Sequence, residues 1–99
     1  MKTIELSGFA LNWAVNMSEG LTGIFAPVNY SGKWEHGGPI IEREKIEIFL
    51  RDEKWFAYSS FSKPEDFYGE TPLIAAMRCF VASILGDEVD IPQQLEKTK

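Results

Sequence analysis

Apolar residues recur at helical spacing near the start of the chain, where Leu6, Ala10, Trp13, Ala14 and Met17 form one stripe. That period predicts a helix over roughly residues 7–19. Thr3 and Ser7 each offer an oxygen for its N-cap, and the pattern does not choose between them. Gly20 follows Glu19, as a left-handed C-terminal cap requires. The chain then becomes glycine-rich and loses its period; Thr22–Ala26 reads as a short strand, and Ser31 as the start of a helical turn through Trp34. Gly37-Gly38-Pro39 joins two flexible residues to one with a fixed φ. Proline suits a first helical turn, so Pro39–Glu44 is expected to be a short helix with Gly38 near its N-cap.

Period two follows. Ile46, Ile48 and Leu50 alternate with Lys45, Glu47 and Arg51, which predicts a half-buried strand. Phe49 stands among the polar positions, so the outer face is not fully wet. Trp55–Ser60 reads as the return strand. The Asp52-Glu53 connection lacks Asn-Gly or Asp-Gly, which favours a longer type I loop over a two-residue turn. Ser62–Glu70 reads as a polar loop. Thr71-Pro72 then announces a helix, hydroxyl cap followed by proline, that runs to Leu85 and ends at Gly86.

Between Leu73 and Leu85 the only residues that are not apolar are Arg78 and Ser83. Thr71, Ala75, Arg78 and Ala82 make its one thin face. A helix so apolar is covered on most sides, either by its own fold or by another subunit. The central position is the better reading, and homodimerisation stays open. Asp87–Lys99 reads as an acidic tail, fraying over about 93–99 with one turn after Pro92. No repeat or linker divides the chain, so residues 1–99 are expected to form a single domain. The element order implies an α+β fold: a small antiparallel sheet flanked by an N-terminal and a long apolar C-terminal helix, in a two-layer or α/β/α sandwich.

Composition narrows the function classes. Hydrophobic residues make up 44% and charged residues 25%, the profile of a globular domain rather than a disordered one. The net charge of −5 argues against coating duplex nucleic acid, which needs clustered positive charge. The one cysteine excludes an internal disulfide and suits a reducing compartment. Glu5 interrupts any leader-like apolar run, and Pro72–Leu85 is too short to span a bilayer. A cytoplasmic protein without membrane contact is expected.

Two segments carry a resemblance. Gly37-Gly38-Pro39-Ile40-Ile41-Glu42-Arg43-Glu44 and Thr71-Pro72-Leu73-Ile74-Ala75-Ala76-Met77-Arg78-Cys79 resemble the two signatures of the NinX-like family of small phage and prophage proteins. The second continues through Phe80-Val81-Ala82-Ser83 and Leu85–Asp90. The opening, Leu6-Ser7-Gly8 with Trp13-Ala14-Val15 and Glu19-Gly20, is similar to the start of that family. The chain departs from the family between Gly20 and Tyr30, where it is shorter, and at Tyr30-Ser31-Gly32-Lys33-Trp34. The resemblance implies a phage or prophage origin and a role in the cytoplasm of the bacterial host. It implies no enzyme activity, and it associates the protein with accessory genes beside recombination and replication functions.

Candidate chemistry is sparse. His36 is the lone histidine, and Cys79 lies in an apolar helix where a thiol is usually inert. No zinc-ligand spacing occurs, and neither a metal nor another cofactor is expected. Glu42, Arg43, Glu44 and Lys45 alternate in sign as a solvated surface does. The Gly37-Gly38 pair could present amides to an anion, but it lacks the rest of a phosphate-binding loop. Trp34, Trp55, Phe56, Tyr58, Phe61, Phe67 and Tyr68 could stack bases, yet acids outnumber nearby cations. Core packing and a protein-binding surface explain the aromatics better. Arg78 needs a partner, and Glu42 or Glu44 would pin the two signature segments together.

The expectation is therefore a non-catalytic interaction protein that binds a host or phage protein. Its surface would be Trp34, His36, Gly37, Gly38, Pro39, Ile40 and Arg43. The alternatives are a small-ligand or enzymatic site on Gly37–Glu44, with His36, Glu42 or Glu44 in acid–base roles, and single-strand nucleic-acid contact beside recombination enzymes.

Overall fold

A computed structural model describes residues 1–21, 28–60, 62–63 and 66–92. Helix α1 spans Gly8–Ser18, α2 Trp34–Glu44 and α3 Pro72–Leu85. Strands β1, β2 and β3 span Glu47–Arg51, Lys54–Tyr58 and Phe67–Gly69 and form one antiparallel sheet in the order β1-β2-β3. The expected Thr22–Ala26 strand and the turn after Pro92 lie outside the described residues.

Helix α3 begins as its sequence demands. The Ile74 N–H donates to Thr71 Oγ1 at 3.1 Å, and Pro72 sits where no intrahelical N–H is needed. One side of α3 packs on β2 and β3, and the other on α1 and α2. It is therefore the centre of an α+β fold, with the sheet on one flank and two helices on the other. Ala75 and Ala82, expected on a thin outer face, are buried; solvent instead reaches Ser83, Ile84 and Leu85 in the last turn. Close packing explains the small residues: a Cβ at Gly69 of β3 would lie 2.6 Å from Ile74 Cγ2 and 3.0 Å from the Ala75 nitrogen.

Four local expectations are corrected. First, Asp52 and Glu53 form a two-residue turn, with φ of 53° and 65°. Both central residues of a type I′ turn need positive φ, which Asp52 tolerates and Glu53 resists. An Asp52→Asn, Glu53→Gly variant is accordingly expected to gain about 1 kcal/mol in urea denaturation. Second, the polar run Ser62–Glu70 contains β3. Phe67 and Gly69 point inward and Tyr68 outward, a period of two too brief to show in the sequence. Third, α2 starts at Trp34 with Lys33 as its N-cap, so Pro39 lies inside the helix rather than at its start. Its missing N–H leaves the carbonyl of Glu35 without its helical donor, and both residues face solvent, where water can substitute.

The fourth correction concerns the chain ends. Thr3 neither caps nor starts α1: its Oγ1 donates to the Gly86 carbonyl at 2.6 Å, and its N–H donates to the Asp87 carbonyl at 2.8 Å. Ser7 holds the N-cap position of α1 without a side-chain bond. The Val89 N–H donates to the Met1 carbonyl at 2.8 Å, and Val89 is buried, so residues 87–89 are fastened to the first residues of the chain; the stretch expected to fray, 93–99, lies outside the described residues. On α1 the buried face is Ala10, Leu11, Ala14 and Val15, with Trp13 and Met17 at its rim. Two asparagines share that face. Asn12 Oδ1 accepts from the Ser31 N–H at 2.9 Å and the Ser31 hydroxyl at 2.7 Å, and Asn16 Oδ1 accepts from Tyr30 at 3.3 Å. Helix-interior asparagines thus clamp the turn that leads into α2.

Candidate functional site

The hairpin register divides the aromatic residues between two faces. Residues directly opposite in an antiparallel pair share a face. The pairs Ile48↔Ala57, Leu50↔Trp55 and Ala57↔Phe67 lie on the side of α3. The pairs Glu47↔Tyr58, Phe49↔Phe56, Arg51↔Lys54 and Phe56↔Tyr68 lie on the other. That outer face is an aromatic ladder. Phe49 and Phe56 stack with centroids 5.4 Å apart, Phe49 meets Tyr58 edge-on at 5.9 Å, and Phe56 meets Tyr68 at 5.9 Å.

Two cations lie over the rings. The Arg51 guanidinium is 5.6 Å from the Phe49 centroid and 5.2 Å from that of Phe56, and Lys54 Nζ is 5.1 Å from that of Tyr68. At the opposite end the Tyr58 hydroxyl donates to Glu47 Oε1 at 3.1 Å, and the bonded carboxylate holds the phenol above its ordinary pKa. The face thus has two cations over its rings at the turn end, next to the exposed acids Asp52 and Glu53, an apolar middle and a carboxylate at the other end. None of these four rings belongs to the buried core, so four of the sheet's six aromatic side chains lie on its outer surface, while Trp55 and Phe67 face α3.

The expected surface on α2 is split by the helix period. Trp34 is 55% exposed and lies back over Gly38, where a Cβ would sit 3.6 Å from its ring. Pro39 is exposed, and His36 is partly exposed beside Glu35. Ile40, at 2% exposure, and Gly37 are buried and leave the proposed surface, because they face α3 and the turn before α2. Arg43 is half-exposed but engaged. Its Nη2 and Nη1 donate to Glu19 at 2.6 and 3.1 Å, and its Nε donates to Glu44 at 2.7 Å. The guanidinium also lies 5.5 Å from the Phe80 ring centroid. The carboxylate bonds, Glu19 foremost, raise its pKa and keep it charged.

Arg78 does not pair with Glu42 or Glu44. Its Nε donates to the Leu6 carbonyl at 2.8 Å and its Nη1 to the Tyr68 carbonyl at 2.6 Å. Burial lowers its pKa against the opposing influence of Tyr68 and Glu70. The arginine that ties α2 to its neighbours is Arg43, and Arg78 ties α3 to the start of α1 and to β3.

Acid–base or nucleophilic chemistry finds no assembled site among the described residues. Burial pushes the Cys79 thiol up, opposed by its contacts with Ser62 and Ser59, and its sulfur lies 3.8 and 3.9 Å from those hydroxyls. His36 is not among its partners. Among the described residues, clefts of about 530, 470 and 250 Å³ exist; neither His36 nor Glu42 lines any of these, and Glu44 lines the 250 Å³ one, beside Ser59, Ser60 and Ser83 and without His36. Among the described residues no three His, Cys, Asp or Glu side chains converge as metal ligands, and no helix is long and apolar enough to cross a membrane.

The fold and this face define a small α+β protein with a three-stranded sheet covered on one side and aromatic on the other. The profile of the Bacteriophage P22 NinX family matches residues 23–84, which include both signature segments. The chain belongs to that phage protein family. A comparison with curated proteins finds no match.

The face as a unit left only partial traces in the sequence: Phe49 stands at a polar position and Phe56, Tyr58 and Tyr68 fall in an aromatic-rich stretch, but the expected longer turn hid the register that sets Phe49 against Phe56.

Proposed function

We propose that this chain is a non-catalytic accessory protein that acts in the cytoplasm of the phage-infected bacterium by binding a protein partner through the outer face of its sheet. The observation that supports this is the ladder Phe49, Phe56, Tyr58 and Tyr68 with Arg51 and Lys54 over it. Aromatic rings and arginine are the groups that dominate protein interfaces: the rings bury large areas at little entropic cost, and the guanidinium adds directed hydrogen bonds and stacks on aromatic faces. Trp34 and Pro39 on α2 offer a second, smaller patch.

A Phe49→Thr, Phe56→Thr variant keeps strand propensity and removes the stack. Affinity capture from infected lysate is expected to lose, with this variant, a partner that wild type and Trp34→Ala both retain, while circular dichroism shows the fold intact. Loss with Trp34→Ala alone would move the surface to α2. Equal capture by all three would end the reading.

Rings flanked by cations on a sheet also suit single-stranded nucleic acid. The net charge of −5 and the acids Glu47, Asp52 and Glu53 around the face weigh against it. A low-salt gel shift with a single-stranded oligonucleotide tests this alternative. Retardation lost in the Phe49→Thr, Phe56→Thr variant would replace the protein-partner reading.

A further inference from the structure

The geometry points to a second interface: we propose that two copies of this chain dimerise by antiparallel pairing of β1 with β1, about a two-fold axis at Phe49. The strand lies at the edge of the sheet. Edge strands are normally blunted by proline, β-bulges, inward-pointing charge or surface charge, and Glu47-Ile48-Phe49-Leu50-Arg51 has only the last, one charge of each sign at its two ends on the outer face. The two-residue turn makes Arg51 and Lys54 the closing hydrogen-bonded pair of the hairpin, and alternation then turns the N–H and C=O groups of Ile48 and Leu50 to the free edge. Among the described residues, no backbone hydrogen bond outside the helices and strand ladders involves Ile48 or Leu50. Leu50 shares the inner face with Ile48 and Trp55, yet it is 57% exposed because nothing described covers it on that edge.

The occupant follows from the strand itself. Set against its own copy with Phe49 opposite Phe49, the strand places Glu47 opposite Arg51 twice and Ile48 opposite Leu50 twice. Opposite charges and apolar pairs each stabilise such a ladder, and like charges opposite would not. The edge groups of Ile48 and Leu50 meet in this register as hydrogen-bonded pairs. Phe49 falls at a non-hydrogen-bonded pair, where side chains approach most closely. Sliding the axis to Leu50 would set Ile48 against Asp52, and sliding it to Ile48 would set Glu47 against Phe49. Only the Phe49 axis matches charge with charge and apolar with apolar. The two sheets then form one six-stranded sheet, with an α3 from each copy on one side and both aromatic ladders joined on the other. The proposal stands apart from the partner-binding reading, since a monomer could still bind through its ladder and a dimer could form without any other partner.

Sedimentation velocity of the full chain, from ~10 µM to ~1 mM, tests it, because an edge pairing of this size gives a weak dimer. Concentration-dependent monomer–dimer exchange is expected in wild type. Leu50→Lys, a change at a side chain exposed in the single copy, is expected to weaken the dimer by roughly tenfold or more. Glu47→Arg is expected to weaken it too, and the double reversal Glu47→Arg, Arg51→Glu to recover most of that loss. Thermal circular dichroism confirms that each variant is folded. A wild type that stays monomeric throughout would overturn the proposal. So would a dimer indifferent to Leu50→Lys, or a double reversal no better than the single one.

Discussion

Replacing Gly37 with alanine is expected to lower stability by about 3 kcal/mol, a fall in Tm of roughly 12–24 °C for a domain of this size. Gly37 is buried on the inner side of α2. An added Cβ would run into the Tyr30 carbonyl oxygen and sit 2.6 Å from Leu73 Cδ2. Leu73 is a side chain and could turn aside. The Tyr30 carbonyl is backbone, and its turn is clamped by the bonds that Ser31 donates to Asn12 and Tyr30 donates to Asn16. Relief would have to come from moving α2 off the turn, which also withdraws Ile40 from the core. Gly38 is the internal control. A Cβ there meets only the Trp34 ring at 3.6 Å, an ordinary contact, and alanine is the better helix former. Gly38→Ala is therefore expected to stabilise by about 0.5–1 kcal/mol. Urea denaturation of the two variants should move in opposite directions. Equal behaviour would mean that α2 does not dock on the turn as described.

That contrast bears on what the sequence could disclose. Gly37-Gly38-Pro39 reads as an interruption, and in most contexts it would be. Here one glycine provides clearance, its neighbour provides none, and the proline is tolerated because the carbonyl it deprives faces water. The distinction lies in what α2 packs against, which no local pattern contains. Helix α3 was legible for the opposite reason: its cap, first-turn proline, apolar run and terminal glycine are all local signals that agree. Its central position followed from there being so little polar surface to leave exposed.

The candidate site was half legible. Alternation in Lys45–Arg51 announced a strand, and Phe49 announced that its outer face was not simply wet. The register was out of reach, because Glu53 stands where a type I′ turn usually has glycine and carries no preference for the left-handed conformation it adopts. In a sheet a register error of one residue exchanges the two faces. Without the tight turn, Phe49, Phe56, Tyr58 and Tyr68 cannot be seen to share one surface. The α2 surface was misjudged in a related way. A start at Pro39 instead of Trp34 does not by itself show that Ile40 and Gly37 point inward while Trp34 and Pro39 point out. Arg78 was correctly singled out as a charge in need of partners. The partners proved to be main-chain carbonyls of distant elements, which leave no trace in residue type.

Arg78→Ala is expected to be as damaging as Gly37→Ala, at about 3 kcal/mol or more. The guanidinium makes two bonds to neutral carbonyls, 2.8 Å to Leu6 and 2.6 Å to Tyr68, and hydrogen bonds from a charged donor contribute roughly 1.5–3 kcal/mol each. Leu6 is fully buried, so losing the donor leaves its carbonyl short of a partner where water enters with difficulty. Alanine also opens a void beside α3. Methionine would restore most of the volume without the donors, and it is expected to recover less than half of the loss. Lysine carries the charge, but it concentrates its donors at one point and cannot span both carbonyls as the planar fork does, so it should recover part. Arg43→Ala is the comparison that separates this from a general need for arginine. Its ion pairs with Glu19 and Glu44 are surface pairs, and their loss is expected to cost about 1 kcal/mol or less. Guanidinium chloride denaturation gives the ranking directly, and hydrogen exchange locates the damage. Arg78→Ala should loosen the amides around Leu6 and in β3 ahead of those in the β1–β2 hairpin. If Arg43→Ala proved the more damaging of the two, or Arg78→Met matched wild type, the two carbonyl bonds would not be what joins α3 to the start of α1 and to β3.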